Sequence, residues 1–224
     1  MNEADEDSIW EDPDVVETFA GRPPDHRLQR LMDEADEPST LTALDVGCAG
    51  GRNTLFLAHA GVDVHAVDAS AAMVARTRSR LAAVLGSEAA EARVRRGHMD
   101  DLGHVADASM DLVVILGVLQ SARSIDEWSA AVAEIRRVLK PGGLALVSNF
   151  APASQPRGQP LVALEGDPDR YVWRRDQRMV LLNPERHDAA FAAQGLRPAE
   201  PTEVVHVPLE DGYRISINAL YTAE

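Results

Sequence analysis

Two aspartates, each at the end of a predicted strand, carry the most evident chemistry of this sequence. Asp45 lies at the end of the apolar run 41–46, and Asp68 follows a second run, 62–67, 23 residues later. The carboxyl ends of neighbouring parallel strands meet at one edge of a sheet, where ligands bind. A carboxylate at the first position can hold an ammonium group, and one at the second can accept hydrogen bonds from both hydroxyls of a ribose. The pair therefore predicts a single ligand that carries a ribose and an amino group.

The turn after the first strand consists mainly of small residues, at positions 47–51. Such residues let backbone N–H groups approach a ligand that larger side chains would block, and the chain then enters a helix. A dinucleotide-binding turn has glycine at its first, third and sixth positions, which here are Gly47, Ala49 and Arg52. This spacing disfavours a dinucleotide as the ligand.

Strands and helices alternate along the chain from residue 41 onward. This alternation predicts an α/β fold with a doubly wound, Rossmann-like, mostly parallel seven-stranded sheet, a C-terminal antiparallel strand and helices on both faces. Strands are predicted at 41–46, 62–67, 92–96, 112–116 and 144–150, and helices at 54–60, 70–85 and 124–139. Further along, strands are predicted at 171–175 and 178–182, a helix at 184–194, and an antiparallel pair at 204–207 and 213–221.

The acidic charge is concentrated in an N-terminal arm, residues 1–40. The chain has a formal net charge of -14, and the arm holds 13 acidic residues against three arginines. Two short helices are predicted in this arm, which is either a packing or disordered segment or a lid over a pocket. Residues 41–224 are predicted to form a single domain, in which 151–183 is an insertion that covers the substrate.

Composition excludes several classes of partner and compartment. The dense basic groups, around 93–96 and 170–178, are short and separated, which disfavours nucleic acid. No apolar stretch is long enough to cross a bilayer, and the first twenty residues lack the pattern of a signal peptide, so we expect a cytoplasmic protein. The single cysteine, Cys48, excludes an intramolecular disulfide and is expected to be a small buried side chain. A homodimer is left open.

Four motifs in order resemble those of class I S-adenosylmethionine-dependent methyltransferases. They are L-D-V-G-C-A-G-G-R-N, V-H-A-V-D-A-S-A-A-M, D-L-V-V-I-L-G-V-L-Q and R-V-L-K-P-G-G-L, within about residues 41–150. The helix start G-R-N-T-L-F-L-A is similar to the small-molecule and tellurite-resistance branch of that superfamily, and the arm resembles the helical lid of many such enzymes. The resemblance implies S-adenosylmethionine as cofactor and a small molecule as methyl acceptor.

The resemblance also implies which residues bind the cofactor. Asp45, Gly47 and Gly51 would hold its methionine end, and Asp68 its ribose hydroxyls. Leu116 and Gly117 would offer backbone carbonyls to its amino group. Ala49 stands where the family has a second glycine, which narrows the turn. The complete predicted set is Asp45, Gly47, Cys48, Ala49, Gly51, Asn53, Asp68, Ala69, Met73, His98, Met99, Asp100, Leu116 and Gly117, with Ala69 and Met73 beside the adenine.

One position of the predicted adenine site departs from the family. Where the family has an acid that binds the adenine amino group, this chain has His98, followed by Met99. A neutral imidazole can accept the same hydrogen bond, and Asp100 can replace it if the loop shifts by two residues. Both alternatives stay open. His98, Asp100, Asp101 and His104 do not have the spacing of a metal site, and we expect no metal.

The sequence contains no obvious general base. Gln120 and Ser121, after the fourth strand, occupy positions that line the pocket in relatives, and neither is a good base. His26 in the arm and His187 on the late helix are either bases or surface histidines. Tyr171 and Trp173 belong to a solvated hairpin, a substrate cover or an oligomer edge. We therefore expect catalysis by positioning; a sensor or partner subunit that binds the cofactor without transferring methyl is the alternative.

Overall fold

The computed structural model describes residues 7–173 and 177–224, which form two compact units. The first unit extends to Leu102 and includes Ser109–Val114, and the second contains Gly103–Ala108 and Ile115–Glu224. No helix in the described ranges combines the length and apolar character needed to span a membrane.

The first unit is built on parallel strands whose carboxyl ends carry the two aspartates. Its strands lie in the order β4-β1-β2-β3, with β1 (Thr42–Val46), β2 (Asp63–Asp68), β3 (Val94–Arg96) and most of β4 (Met110–Leu116). Strand β1 pairs in parallel with β2, and β2 with β3. Because strands of a parallel sheet are buried on both faces, they are almost continuously apolar, as Ala43, Leu44 and Val64 are here, all with no exposed surface.

Helices α3 (Arg52–His59), α4 (Ala71–Leu85) and α5 (Ser87–Arg93) connect these strands. Ser70 caps α4 by accepting a hydrogen bond of 3.1 Å from the N–H of Met73. Buried residues recur at helical spacing along α4, at Met73, Val74, Thr77 and Leu81, which anchors the helix. The cap and these buried side chains fix the position of the N-terminus of α4, which follows Asp68.

The N-terminal arm contains the two predicted helices. A single turn of 3-10 helix, Asp7–Glu11, precedes α1 (Pro13–Ala20), and α2 spans His26–Glu34. Asp12 caps α1, where proline occupies the first turn, and Asp25 caps α2. The acidic residues of the arm thus include two that start its helices.

The second unit is built on antiparallel strands. Its main strands lie in the order β10-β12-β5, with β5 (Leu139–Phe150), β10 (Leu196–Pro198) and β12 (Gly212–Ala223). Strands β6 (Gln155–Pro156) and β11 (Glu203–Leu209) also pair with β12. Helices α6 (Ile125–Val138) and α7 (Pro184–Ala193) belong to this unit, as does a small sheet of β7 (Ala163–Leu164), β8 (Asp167–Val172) and β9 (Arg178–Val180).

Most predicted elements are present, and the differences have local causes. The prediction missed α5, and Ala92 and Arg93 end this helix instead of opening a strand. Strand β5 begins at Leu139, five residues before the prediction, and includes Pro141, Gly142 and Gly143, with Gly142 at a φ of +78°. The strand predicted at 171–175 ends at Val172 in β8, and positions 174 and 175 lie outside the described residues.

Candidate cofactor and acceptor sites

Asp45 is a buried carboxylate at the carboxyl end of β1. It is 2% exposed, and its Oδ2 accepts a hydrogen bond of 2.6 Å from Oγ1 of Thr54 in α3. Burial raises the pKa of Asp45 to about 6 despite this hydrogen bond, because the charged form loses solvation. Among the described residues, none forms an ion pair with Asp45. The charge of Arg52 favours the ionised form of Asp45 without forming an ion pair with it, so a ligand ammonium group could make the direct contact.

The turn after β1 follows a backbone path suited to glycine. Gly47 and Gly51 have φ of +69° and +80°, and Ala49 has φ of +48°. A residue with a side chain pays about 1–2 kcal/mol for this left-handed conformation. Two hydrogen bonds hold Ala49 there: its N–H donates to Oδ2 of Asp68 at 2.8 Å, and its carbonyl accepts from Oγ1 of Thr77 at 2.6 Å. The alanine that replaces the family's second glycine is therefore accommodated by its neighbours.

Asp68, at the carboxyl end of β2, is bound to the turn through its side chain. Its Oδ2 accepts from Ala49, and its Oδ1 accepts from the N–H of Ser70 at 2.9 Å. Burial raises its pKa despite these hydrogen bonds. The two aspartates are thus brought together with the glycine turn, as the sequence predicts, and the carboxylate of Asp68 has a defined orientation.

Two further residues of the turn and helix have structural partners. Cys48 is 3% exposed, which confirms a small buried side chain. Burial, together with the carboxylates of Asp68 and Asp45, raises the pKa of its thiol, so the thiol stays protonated. Asn53 is 5% exposed, and its Oδ1 accepts a hydrogen bond of 3.0 Å from the N–H of Asp25 in the arm.

The residues predicted beside the adenine lie around the start of α4 and after β3. Met73 is 1% exposed, and the carbonyl of Ala69 accepts a hydrogen bond of 2.8 Å from Nε of Arg96. His98 is exposed, whereas Met99 is buried and Asp100 is half-buried. No group of three or more His, Cys, Asp or Glu side chains in the described ranges is arranged to hold a metal ion.

The arm binds to the start of α4, directly beyond Asp68. The carboxylate of Glu11 accepts hydrogen bonds from the N–H groups of Ala71, at 2.8 Å, and Ala72, at 3.0 Å, and Oγ of Ser70 donates to the carbonyl of Trp10. A helix N-terminus stabilises a carboxylate in this position. Sequence analysis missed this contact, because nothing in the local sequence pairs residues sixty positions apart.

Gly50 lets the arm approach the glycine turn. A Cβ at this position would lie 2.6 Å from Cα of Ala20, the last residue of α1, and 2.7 Å from its backbone N. Real Cβ atoms do not make contacts this close with backbone. The carbonyl of Gly50 accepts a hydrogen bond of 2.6 Å from Nη1 of Arg80 in α4, which holds the turn from the other side.

Replacing Gly50 with alanine is therefore expected to displace the arm. The added methyl group cannot fit against the backbone of Ala20, so α1 must move, at a cost of about 1–3 kcal/mol for an overpacked site. Limited proteolysis should show faster cleavage in the arm. The control is Gly86→Ala, since Cβ at Gly86 meets nothing within 4 Å; its φ of +87° disfavours alanine, so this variant carries backbone strain without a steric clash. Equal cleavage of the arm in both variants would contradict the packing argument.

In the second unit, Gln120 links the ends of two strands. Gly117, which follows β4 with φ of +76°, accepts a hydrogen bond of 2.9 Å from Nε2 of Gln120 through its carbonyl. Oε1 of Gln120 accepts a hydrogen bond of 3.3 Å from the N–H of Phe150, the last residue of β5. Gln120 is 4% exposed, whereas Leu116 is half-buried and Ser121 is exposed. The amide of Gln120 is thus engaged at both atoms with the backbone.

The two candidate histidines have opposite surroundings. His26 is exposed at the start of α2. His187, in α7, has no exposed surface, so the alternative of a surface histidine is wrong for this residue. Its ring packs against Trp128, Phe191 and Tyr221. These rings come from three elements far apart in the sequence, α6, α7 and β12, and together they bury the imidazole.

Comparison with known proteins agrees with this fold. Residues 44–147 match a family model described as a methyltransferase domain. The chain is 28% identical over 198 residues to the ubiquinone biosynthesis O-methyltransferase of Chelativorans sp. (strain BNC1), covering 82% of this chain and 71% of that protein.

Solved structures have the same fold at low identity. One is the 1,6-didemethyltoxoflavin-N1-methyltransferase of Burkholderia thailandensis, bound to 1,6-didemethyltoxoflavin and S-adenosylhomocysteine, with TM-score 0.64, 19% identity, and 99% and 84% of the two chains covered. Another is the CcbJ methyltransferase of Streptomyces caelestis, with TM-score 0.65, 22% identity, and 96% and 98% covered.

The mixed α/β fold, with its mostly parallel sheet and antiparallel edge strands, agrees with the match of residues 44–147 to a methyltransferase domain. The resemblance seen in the sequence is thereby confirmed, as are the predicted fold class, an enzyme, and S-adenosylmethionine as its cofactor. The chain is similar to ubiquinone biosynthesis O-methyltransferases at the level of 28% identity. Assignment to the tellurite-resistance-like branch stays a prediction.

Proposed function

We propose that this enzyme methylates an O, N or S atom of a small molecule, and that it acts mainly by holding donor and acceptor in line. S-adenosylmethionine supplies an already activated methyl group when it is bound. The chain therefore needs to bind, orient and exclude water, which together are worth several kcal/mol of the barrier. The similarity to an O-methyltransferase of ubiquinone biosynthesis supports a small acceptor. The net charge of -14 supports an acceptor other than nucleic acid.

The observation that carries the cofactor site is the pair of strand-end carboxylates around one glycine turn. Asp45 is buried and forms no ion pair with any described residue, which suits the ammonium group of the cofactor. Asp68 is held by Ala49 and Ser70 in a fixed orientation, which suits the two ribose hydroxyls. Gly47 and Gly51 have the positive φ values, +69° and +80°, that this turn requires.

The remaining cofactor residues are proposed in the roles that the resemblance implies. Ala69 and Met73 would flank the adenine, and either His98 or Asp100 would accept a hydrogen bond from its amino group. Leu116 and Gly117 would offer their carbonyls to the cofactor ammonium. The engagement of the Gly117 carbonyl by Gln120 supports Gln120 as a positioning residue for this strand end. A cytoplasmic location is part of the proposal, supported by the single cysteine, which cannot form an intramolecular disulfide.

Calorimetry with the full chain tests the cofactor assignment. S-adenosylmethionine and S-adenosylhomocysteine should bind, and NAD should not, because the turn lacks the dinucleotide spacing. Transfer of a labelled methyl group to a panel of small metabolites then tests the activity. Binding of NAD in preference to S-adenosylmethionine would overturn the proposal.

Binding of the cofactor should weaken in acid. The pKa of Asp45 is about 6, so below this pH the carboxylate becomes neutral and loses its attraction for the ammonium group. We expect the affinity for S-adenosylhomocysteine to fall by up to about tenfold for each pH unit below 6. The variant Asp45→Asn should bind weakly at pH 7 and show a flatter pH profile. A parent profile that is flat between pH 7 and pH 5 would exclude this role for Asp45.

A further inference from the structure

An aromatic pair lies at the carboxyl end of β5, in the second unit. Phe150 is the last residue of this strand, and its ring centroid lies 5.1 Å from that of Trp173, with 32° between the planes. The guanidinium carbon of Arg214 lies 4.6 Å from the centroid of the Phe150 ring. Phe150, Trp173 and Arg214 are all half-buried, so part of each side chain is accessible. We call these three residues the aromatic patch.

Strand register explains why these side chains meet. Phe150 pairs with Ser216 of β12, so their side chains point to the same face of the sheet. Arg214 lies two residues from Ser216 on the same strand and therefore shares this face. Trp173 follows β8, and its N–H donates a hydrogen bond of 2.8 Å to the carbonyl of Gln177. Backbone hydrogen bonds therefore support the patch at two places, between β5 and β12 and between Trp173 and Gln177.

Hydrogen bonds join the aromatic patch to the end of β4. The N–H of Phe150 donates to Oε1 of Gln120, and Nε2 of Gln120 donates to the carbonyl of Gly117. In α/β sheets of this kind, ligands bind beyond the carboxyl ends of the strands. The patch thus lies at the carboxyl end of β5, where ligands bind. The amide of Gln120 connects the backbone of Phe150 to that of Gly117, the residue proposed to bind the cofactor.

We propose that the aromatic patch binds the methyl acceptor, and that this acceptor is a planar aromatic molecule carrying a negative charge. The inference rests on the proposed methyltransferase activity and specifies its substrate class. A flat ring stacks on the accessible part of Trp173, since indole offers a large face at little cost in conformational entropy. The guanidinium of Arg214 stays positively charged and attracts a carboxylate or phenolate on that ring. Trp173 and Arg214 thus determine specificity without taking part in the chemistry.

The test measures binding of acceptor analogues to the full chain in the presence of saturating S-adenosylhomocysteine. The probes are planar aromatic acids, namely benzoate, protocatechuate and indole carboxylate, with catechol as a neutral aromatic and cyclohexanecarboxylate as a non-planar acid. At least one aromatic acid should bind about tenfold more tightly than cyclohexanecarboxylate. Failure of every aromatic acid to bind better than cyclohexanecarboxylate would overturn the inference.

Variants then assign the binding to the patch. Trp173→Ala should weaken binding of the best aromatic acid by at least about tenfold, while Trp173→Phe, which keeps a flat ring, should lose less than about threefold. Arg214→Gln should weaken binding of the acid and leave that of catechol unchanged. The matched control is Tyr213→Ala, because the ring of Tyr213 contacts that of His206 in a tilted arrangement and packs against Ile215 on the other face of β12.

Binding of S-adenosylhomocysteine distinguishes failure of the proposed methyltransferase function from failure of the acceptor assignment. All variants should bind it with the affinity of the parent chain, since the patch contacts only the acceptor. If the parent chain does not bind it, the proposed function fails. If the parent binds it but Trp173→Ala retains full affinity for the aromatic acid, the proposed function stands and the acceptor assignment is wrong. An equal loss for Tyr213→Ala and Trp173→Ala would likewise overturn the assignment, because it would indicate general loss of structure.

Discussion

Asp68→Ala is expected to weaken binding of S-adenosylhomocysteine by at least about tenfold, or 1.4 kcal/mol. The carboxylate is proposed to accept hydrogen bonds from both ribose hydroxyls, and charged acceptors contribute more than neutral ones. It also accepts hydrogen bonds from the N–H groups of Ala49 and Ser70. Alanine therefore removes the ribose contact and releases the turn, so the loss can exceed the tenfold minimum.

Isothermal titration calorimetry of two variants separates these contributions. Asp68→Asn keeps one carbonyl oxygen and is expected to bind with intermediate affinity. Asp63→Ala is the control, because Asp63 lies at the other end of the same strand, where it pairs with Arg93. Its affinity should equal that of the parent chain. Unchanged affinity in Asp68→Ala would reject the ribose assignment.

His187 should make the folded chain less stable as the pH falls from 6.5 towards 4. Burial lowers the pKa of this imidazole to about 4, although the nearby carboxylate of Asp188 favours the charged form. The unfolded chain binds a proton near pH 6.5, so between these values it holds one more proton than the folded chain. The stability supplied by neutral His187 is complete above pH 6.5. It is lost as the pH falls, at up to about 1.4 kcal/mol per pH unit and roughly 3 kcal/mol in all.

The hydrogen bonds around His187 show why it stays neutral. Oη of Tyr221 donates its only proton to Oδ1 of Asp188 at 2.6 Å, so Nδ1 of His187, 2.8 Å from Oη, must donate to Tyr221. Nε2 is then the unprotonated nitrogen, and it is buried without a hydrogen-bond partner. Protonation would place an unpaired N–H and a positive charge among the rings of Trp128 and Phe191.

Denaturant unfolding at pH 7 and at pH 5 measures this effect. The parent chain should lose about 2 kcal/mol from His187 between these pH values, and His187→Gln should lose that contribution. Asp45 acts in the opposite direction, since its pKa is raised in the folded chain, so the difference between parent and variant isolates the histidine. His59→Gln, at an exposed position, is the control. The same pH dependence in His187→Gln and in the parent would contradict the mechanism.

Local chemistry explains why the strands, helices and cofactor turn could be predicted. Helix α4 begins at Ala71 after its cap Ser70, within one residue of the prediction, because capping and helical periodicity involve only nearby residues. Asp45 and Asp68 could be placed together from sequence because parallel strands bring their carboxyl ends to one edge. Helix α5 was missed because seven residues carry too little periodic signal to exceed that of the adjoining strand.

Contacts between distant residues could not be predicted in this way. Glu11 binds the start of α4, and Gly50 is required because Ala20 packs against it, yet neither sequence segment identifies its partner. Burial of His187 depends on rings from α6, α7 and β12, which no local pattern brings together. Periodicity and turn chemistry are properties of a few neighbouring residues, so this sequence by itself determined its strands, its glycine turn and the class of its cofactor. Which side chains are covered, paired or left with a shifted pKa depends on packing between segments far apart in the chain, and only the tertiary structure decided that.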